Sequence, residues 1–181
     1  MNGAYDLEGV IYHQHSPRLM KKILELWPNK KVPVIDIGCG LNYYISVLIY
    51  AGYRGFGVDL VDLGSKNFHL ADVTKPIPYT YLDENTNVIS LEVAEHIPYD
   101  KCFTYLDNVA SFGGDVIMSW AIPGQAGHNH INCQSNEWVE SEMDKRGYRL
   151  DLELTNELRV AVAECHCSWF KNTLMYFKPK L

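Results

Sequence analysis

Short apolar runs alternate with stretches of helical spacing along most of the chain. Residues 16–27 (SPRLMKKILELW) place Ser16 as an N-cap and Pro17 at the first helical position, and apolar residues then recur at helical intervals. Residues 28–33, bounded by Pro28 and Pro33, end that helix. A first strand is predicted over 34–37, then a glycine turn (Gly38-Cys39-Gly40) and a helix over 43–51. Further strands are predicted over 55–59, 67–72, 87–91 and 114–120. Helices are predicted over about 99–111 and over 136–146, the latter stopped by Gly147. Segments 148–154 and 159–165 suit strands, and 169–177 is the last strong strand candidate. Strands alternating with helices imply a three-layer α/β fold, a mostly parallel sheet covered on both faces. With no evident helix between the final two strand candidates, the sheet is expected to finish in an antiparallel hairpin.

Composition narrows the picture without changing it. At 181 residues the chain fits one domain, expected to span 1–181. No apolar run approaches the roughly 18 residues of a spanning helix. Residues 1–19 lack the basic-then-apolar layout of a signal peptide, so a cytoplasmic protein without membrane partners is expected. The five cysteines (Cys39, Cys102, Cys133, Cys165, Cys167) are odd in number and unevenly spaced, which reads as reduced thiols. A formal charge of −6 with no Lys/Arg cluster argues against nucleic acid as partner, because neutralising phosphates takes several cations on one face. The pairs Lys21-Lys22 and Lys30-Lys31 read as a solvated helix face.

The chemistry begins at Asp36-Ile37-Gly38-Cys39-Gly40. Glycines there let a tight turn form and let backbone approach a ligand at a helix N-terminus. Asp59 ends the next strand, where an acid can hold both hydroxyls of a ribose, with Leu60 beside it. Asp72 and Val73 follow the third strand, where an adenine ring would lie. Leu91 closes the fourth strand. A nicotinamide-binding fingerprint would need glycine at 43, which is Tyr43.

The run from Val34 to Pro98 resembles class I S-adenosylmethionine-dependent methyltransferases. VIDIGCG is similar to that family's first motif, GVDL to its second, LADV to its third and VISLEVAEHIP to its fourth, while GGDVIMSW with Pro123 resembles its fifth-strand region. The resemblance implies S-adenosylmethionine as cofactor, held by Asp36, Gly38, Gly40, Asp59, Leu60, Asp72, Val73 and Leu91. Asn42 stands where many members carry glycine, and a positive φ is expected there.

Glu92, Glu95 and His96 form an ExxEH pattern at the carboxyl end of the fourth strand. On a helical turn the three side chains share a face, and two carboxylates with an imidazole suit a divalent ion, Mg2+ or Mn2+. The pattern resembles that of ubiquinone-pathway O-methyltransferases and small-RNA 2′-O-methyltransferases, where it holds a metal. In many other methyltransferases it binds none, and Glu95-His96 caps a helix or His96 acts as base. Both readings stand on sequence alone. Gly127-His128-Asn129-His130-Ile131-Asn132 supplies a further histidine; His130 is preferred, because apolar Ile131 is expected to anchor the chain beside it. Tyr12, His13 and His15 precede the first helix, which often covers the cofactor in this family. Cys165-His166-Cys167 reads as alternation on a strand, since zinc would need a second ligand pair. Trp169, Phe170, Tyr176 and Phe177 read as core and rim.

A hydroxyl is a poor nucleophile near neutral pH, so O-methylation needs a base or a metal, and Glu95, His96 and His130 offer either. The expected reaction is O-methylation of a sugar or other small polyhydroxylated molecule, with or without a divalent cation at Glu92, Glu95, His96 and His130. The alternatives are a small-RNA 2′-O-methyltransferase and a catalytically silent S-adenosylmethionine-binding module.

Overall fold

The structure is a computed structural model that describes residues 14–61, 64, 66–78 and 85–180. Tyr12 and His13 lie outside them. Helix α1 (Pro17–Leu26) starts as expected: Ser16 Oγ accepts the Leu19 N–H at 3.2 Å and Pro17 occupies the first turn. It is followed by β1 (Val34–Ile37), α2 (Tyr43–Tyr50), β2 (Gly55–Asp59), β3 (Phe68–Leu70), β4 (Thr86–Ser90), a 3-10 turn (Ala94–His96), α3 (Tyr99–Ala110) and β5 (Gly113–Ser119). The chain closes with α4 (Asn136–Lys145), β6 (Tyr148–Leu150), α5 (Leu152–Val162), the short α6 (Phe170–Thr173) and β7 (Leu174–Pro179). The sheet runs β3-β2-β1-β4-β5-β7-β6. Pairing is parallel from β3 through β5, while β7 runs antiparallel to both β5 and β6.

The C-terminal third corrects three expectations. Residues 152–162 are helix, not part of two strands: Asp151 caps α5 through the Leu154 N–H at 3.1 Å, and Thr155, Leu158 and Val162 bury one helical face. Strand β6 therefore stops at Leu150, and Cys165-His166-Cys167 lies in turns after α5. Residues 170–173 form α6, so the last strand begins at Leu174. The sheet does end in antiparallel strands, but the pair is β6 with β7 and not the last two candidate segments, and α5 and α6 lie between the strands in place of a tight turn.

Alternation along the strands splits the core in two. Ile35, Ile37, Val88, Val116 and Met118 face α3 and α4, while Val34, Ile89, Ile117 and Tyr176 face α1, α2 and α5. With both faces covered, the carboxyl ends of β1, β2, β4 and β5 are left as the rim where a ligand meets the sheet.

Candidate functional site

The first part of that rim is the turn after β1. Gly38 and Cys39 donate their N–H groups to Val58 O, at 2.8 and 3.2 Å. Gly38 has φ 79°, and a Cβ there would run into Val93; only glycine closes this turn without strain. Gly40 N–H donates to Asp59 Oδ2 at 2.9 Å, and Leu60 N–H to Asp59 Oδ1 at 2.7 Å. The acid is thus locked across the turn, with lone pairs left on both oxygens. Asn42 takes the expected positive φ (57°) as N-cap of α2, and its amide donates to Asn67 O at 3.1 Å.

Asp36 lies beneath this turn, buried on β1. Desolvation, reinforced by the charge of Asp59, pushes its pKa up to about 8. A small cavity next to it is lined by His15, Asp36, Gly38, Tyr43, Tyr44 and Leu91. His15 stacks on Tyr43 at 3.8 Å between ring centroids, so the segment before α1 reaches the cavity wall. Asp72 holds its own turn: Oδ1 accepts from Thr74 N and Oγ1 at 3.0 and 2.6 Å, and Oδ2 pairs with Lys75 at 3.3 Å. Burial opposes its charge, but these partners win and hold its pKa below the ordinary value. Val73 is buried in the core beside it.

The second part of the rim gathers Glu95, His96 and His130, whose candidate ligand atoms lie within 4.8 Å of one another. Glu95 is fully buried in the 3-10 turn, and neither carboxylate oxygen has a hydrogen-bond partner among the described residues. Desolvation, with a contribution from the Glu92 charge, raises its pKa to about 8. His130 Nε2 stands 4.0 Å from Glu95 Oε1, and the His96 and His130 rings are 5.2 Å apart. Each imidazole meets a backbone carbonyl through Nδ1: His96 with Asn129 O at 3.1 Å and His130 with Gln125 O at 3.3 Å. With Nδ1 as donor to Gln125 O, His130 Nε2 keeps a lone pair for a proton or a metal.

The histidine loop is docked by backbone. Ile131 and Asn132 N–H donate to Glu95 O at 2.9 and 3.0 Å, and Trp120 Nε1 donates to Asn132 O at 2.6 Å. The Ile131 side chain is 58 % exposed, so its N–H anchors the loop where apolar burial was expected to. His128 is exposed and contacts Asn129.

Glu92 stands beside these three and outside their cluster. It precedes the 3-10 turn at φ 57°, so the expected shared helical face of Glu92, Glu95 and His96 does not form. Ser119 Oγ accepts the Glu92 N–H and donates to Glu92 Oε1, both at 2.8 Å. Burial raises the Glu92 pKa to about 7, against the pull of Ser119 and of the nearby Trp169 indole. Sequence reasoning missed Ser119, although its place at the carboxyl end of β5 was readable. The carbonyls of Gln125 and Asn129 carry no side-chain signal at all.

No family model and no curated protein matches the chain. Among solved structures it is similar to magnesium protoporphyrin IX methyltransferase from Synechocystis PCC 6803 with bound S-adenosylhomocysteine. Identity is 18 %, over 77 % of this chain and 82 % of that one, with a TM-score of 0.55. It is also similar to 1,6-didemethyltoxoflavin-N1-methyltransferase from Burkholderia thailandensis, at 15 % identity over 91 % and 79 % of the chains and a TM-score of 0.60. The small RNA methyltransferase HEN1 matches all of this chain with 26 % of its own, at 14 % identity and a TM-score of 0.63. The chain has the fold of class I S-adenosylmethionine-dependent methyltransferases, with the reversed strand β7 between β5 and β6.

Proposed function

We propose that the chain is an S-adenosylmethionine-dependent methyltransferase that O-methylates a sugar or another small polyhydroxylated acceptor, with a divalent cation held by Glu92, Glu95, His96 and His130. The observation that carries this reading is the buried Glu95 carboxyl, which has no hydrogen-bond partner among the described residues and faces two imidazoles. Burial makes the charged form of Glu95 costly and raises its pKa to about 8, and a bound cation would stabilise that form. The oxygen and nitrogen donor set fits Mg2+ or Mn2+.

In this reading Gly38 and Gly40 bring backbone to the cofactor, Asp59 holds the ribose, and Asp72 and Val73 face the adenine. Asp36, Leu60 and Leu91 border the remainder. When bound, S-adenosylmethionine supplies a sulfonium methyl for in-line displacement, and a divalent cation supplies charge that lowers the pKa of a coordinated hydroxyl. The chain's own residues would orient the acceptor and receive its proton: Glu95, raised to about 8, can take a proton once it is deprotonated, and His96 and His130 stand beside it as further acceptors. A cytoplasmic location accords with the absence, among the described residues, of any helix long and apolar enough to cross a membrane.

The likeness to a small RNA methyltransferase over the full chain supports a second reading, in which the diol is the terminal ribose of an RNA. The net charge of −6 weighs against it. The test is methyl transfer to a panel of sugars, polyols and short RNAs, with and without excess chelator, for wild type and Glu95→Gln. The cation reading expects loss of turnover in chelator and partial rescue of Glu95→Gln at high Mn2+. Full turnover in chelator leaves Glu95, His96 or His130 as a simple base, and RNA as the sole acceptor favours the second reading.

A further inference from the structure

Glu92 is the one member of the proposed cation site whose carboxylate is already hydrogen-bonded by another side chain. Its backbone sits at φ 57°, a conformation few non-glycine residues adopt, and the fully buried Ser119 clamps it twice, through its N–H and through Oε1. The Trp169 indole N–H is buried, completes no hydrogen bond among the described residues, and lies close enough to bear on the Glu92 carboxylate. A buried donor without a partner is rare and costly. It marks a place where an acceptor belongs, and among the described residues the carboxylate it bears on is that of Glu92.

We propose that Ser119 and Trp169 are positioning residues that present the Glu92 carboxylate to the Glu95–His96–His130 cluster as its fourth ligand, Ser119 fixing one oxygen and the Trp169 N–H steering the other. The inference rests on the cation reading above. In this arrangement the two residues act through Glu92, as outer partners of metal ligands commonly do. Losses of such partners typically weaken a site by about 10- to 100-fold.

The experiment is calorimetric titration of Mn2+ into the full chain saturated with S-adenosylhomocysteine, with no acceptor present. Trp169→Phe keeps the ring and removes the donor, and Ser119→Ala removes the clamp. Each is expected to weaken Mn2+ about 10-fold while affinity for S-adenosylhomocysteine stays within about 2-fold. Ser119→Thr, which keeps the hydroxyl, is expected to recover most of the loss. In a Glu92→Gln background neither substitution should weaken Mn2+ further, which separates action through Glu92 from general damage. Unchanged Mn2+ affinity in Trp169→Phe, or full additivity with Glu92→Gln, overturns the inference and leaves the cation reading in place. No Mn2+ binding by wild type removes the cation reading and the inference with it. Trp169 is only partly buried, so its variant carries the test if Ser119→Ala does not fold.

Discussion

Glu95 and His130, on separate segments after β4 and β5, meet with Oε1 and Nε2 4.0 Å apart, and the meeting is fixed by backbone. Glu95 O takes the N–H groups of Ile131 and Asn132, so wherever the 3-10 turn goes, the histidine loop follows. The side chains are thereby left facing one another with no hydrogen bond between them, an arrangement suited to a third party.

The ribose assignment predicts a loss of cofactor affinity in Asp59→Ala. Both Asp59 oxygens already hold backbone N–H groups, from Gly40 and Leu60, and each has a lone pair to offer a hydroxyl. Removing the carboxylate should weaken S-adenosylhomocysteine by about 1.5 to 3 kcal/mol, typical of hydrogen bonds to charged groups. Calorimetry that finds unchanged affinity would end the assignment.

The buried acids predict how stability varies with pH. Asp36 has its pKa raised to about 8 by burial and by Asp59, well above its unfolded value. The folded chain therefore binds more protons than the unfolded chain between those two values, and stability falls as pH rises through that window. Glu92 (about 7) and Glu95 (about 8) act in the same direction. Thermal unfolding in chelator should show the melting temperature dropping from pH 5 to pH 8, with a shallower slope in Asp36→Asn. Mn2+ should flatten the part owed to Glu92 and Glu95 and leave the part owed to Asp36. A melting temperature that climbs over that range contradicts the protonation pattern.

The sequence was most legible where local rules and tertiary demands agree. Ser16-Pro17 announced α1, and the apolar runs ending in Gly38 and Asp59 announced β1 and β2 with their carboxyl ends. It misled at residues 152–165, where β-branched and apolar residues mimic strand alternation. The helical spacing of Thr155, Leu158 and Val162, with Asp151 as cap, was present but competed with that pattern. Within the site, the residue types Glu95, His96 and His130 were readable. Their convergence was not, because it depends on the main-chain bonds of residues 125–132, and backbone carbonyls leave no mark in a sequence. Glu92 shows the complementary failure: its spacing implied a helical face shared with Glu95 and His96, and a positive φ breaks that face.

Asp72 separates two roles that share one carboxylate. Its hydrogen bonds to Thr74 hold the turn, and the proposed adenine contact needs the same group. Asp72→Asn should raise the Michaelis constant for S-adenosylmethionine with little change in turnover number. Thr74→Val disturbs the turn and leaves the carboxylate in place, so it should affect the Michaelis constant less. Equal effects in the two variants would reduce Asp72 to a turn cap, and a collapsed turnover number with unchanged cofactor affinity would assign it another role.

Gly127 tests whether the imidazole of His130 must stand where it does. A Cβ at this position would overlap the His130 ring at Nε2 and Cε1, the very edge that faces Glu95. The loop around Gly127 is exposed and carries little of the core, so Gly127→Ala has few routes to global damage. One methyl group should push the ring out of line and weaken Mn2+ binding by roughly 10-fold, or about 1.4 kcal/mol. The melting temperature and S-adenosylhomocysteine affinity should stay close to wild type, because β1, β2 and the turn around Asp59 lie in other segments. His130→Ala sets the upper limit of the effect. If Gly127→Ala binds Mn2+ as wild type does while His130→Ala does not, the ring tolerates displacement and its observed place is not what the ion needs. If both bind as wild type, His130 is no ligand, and its nearness to Glu95 serves the acceptor's proton instead.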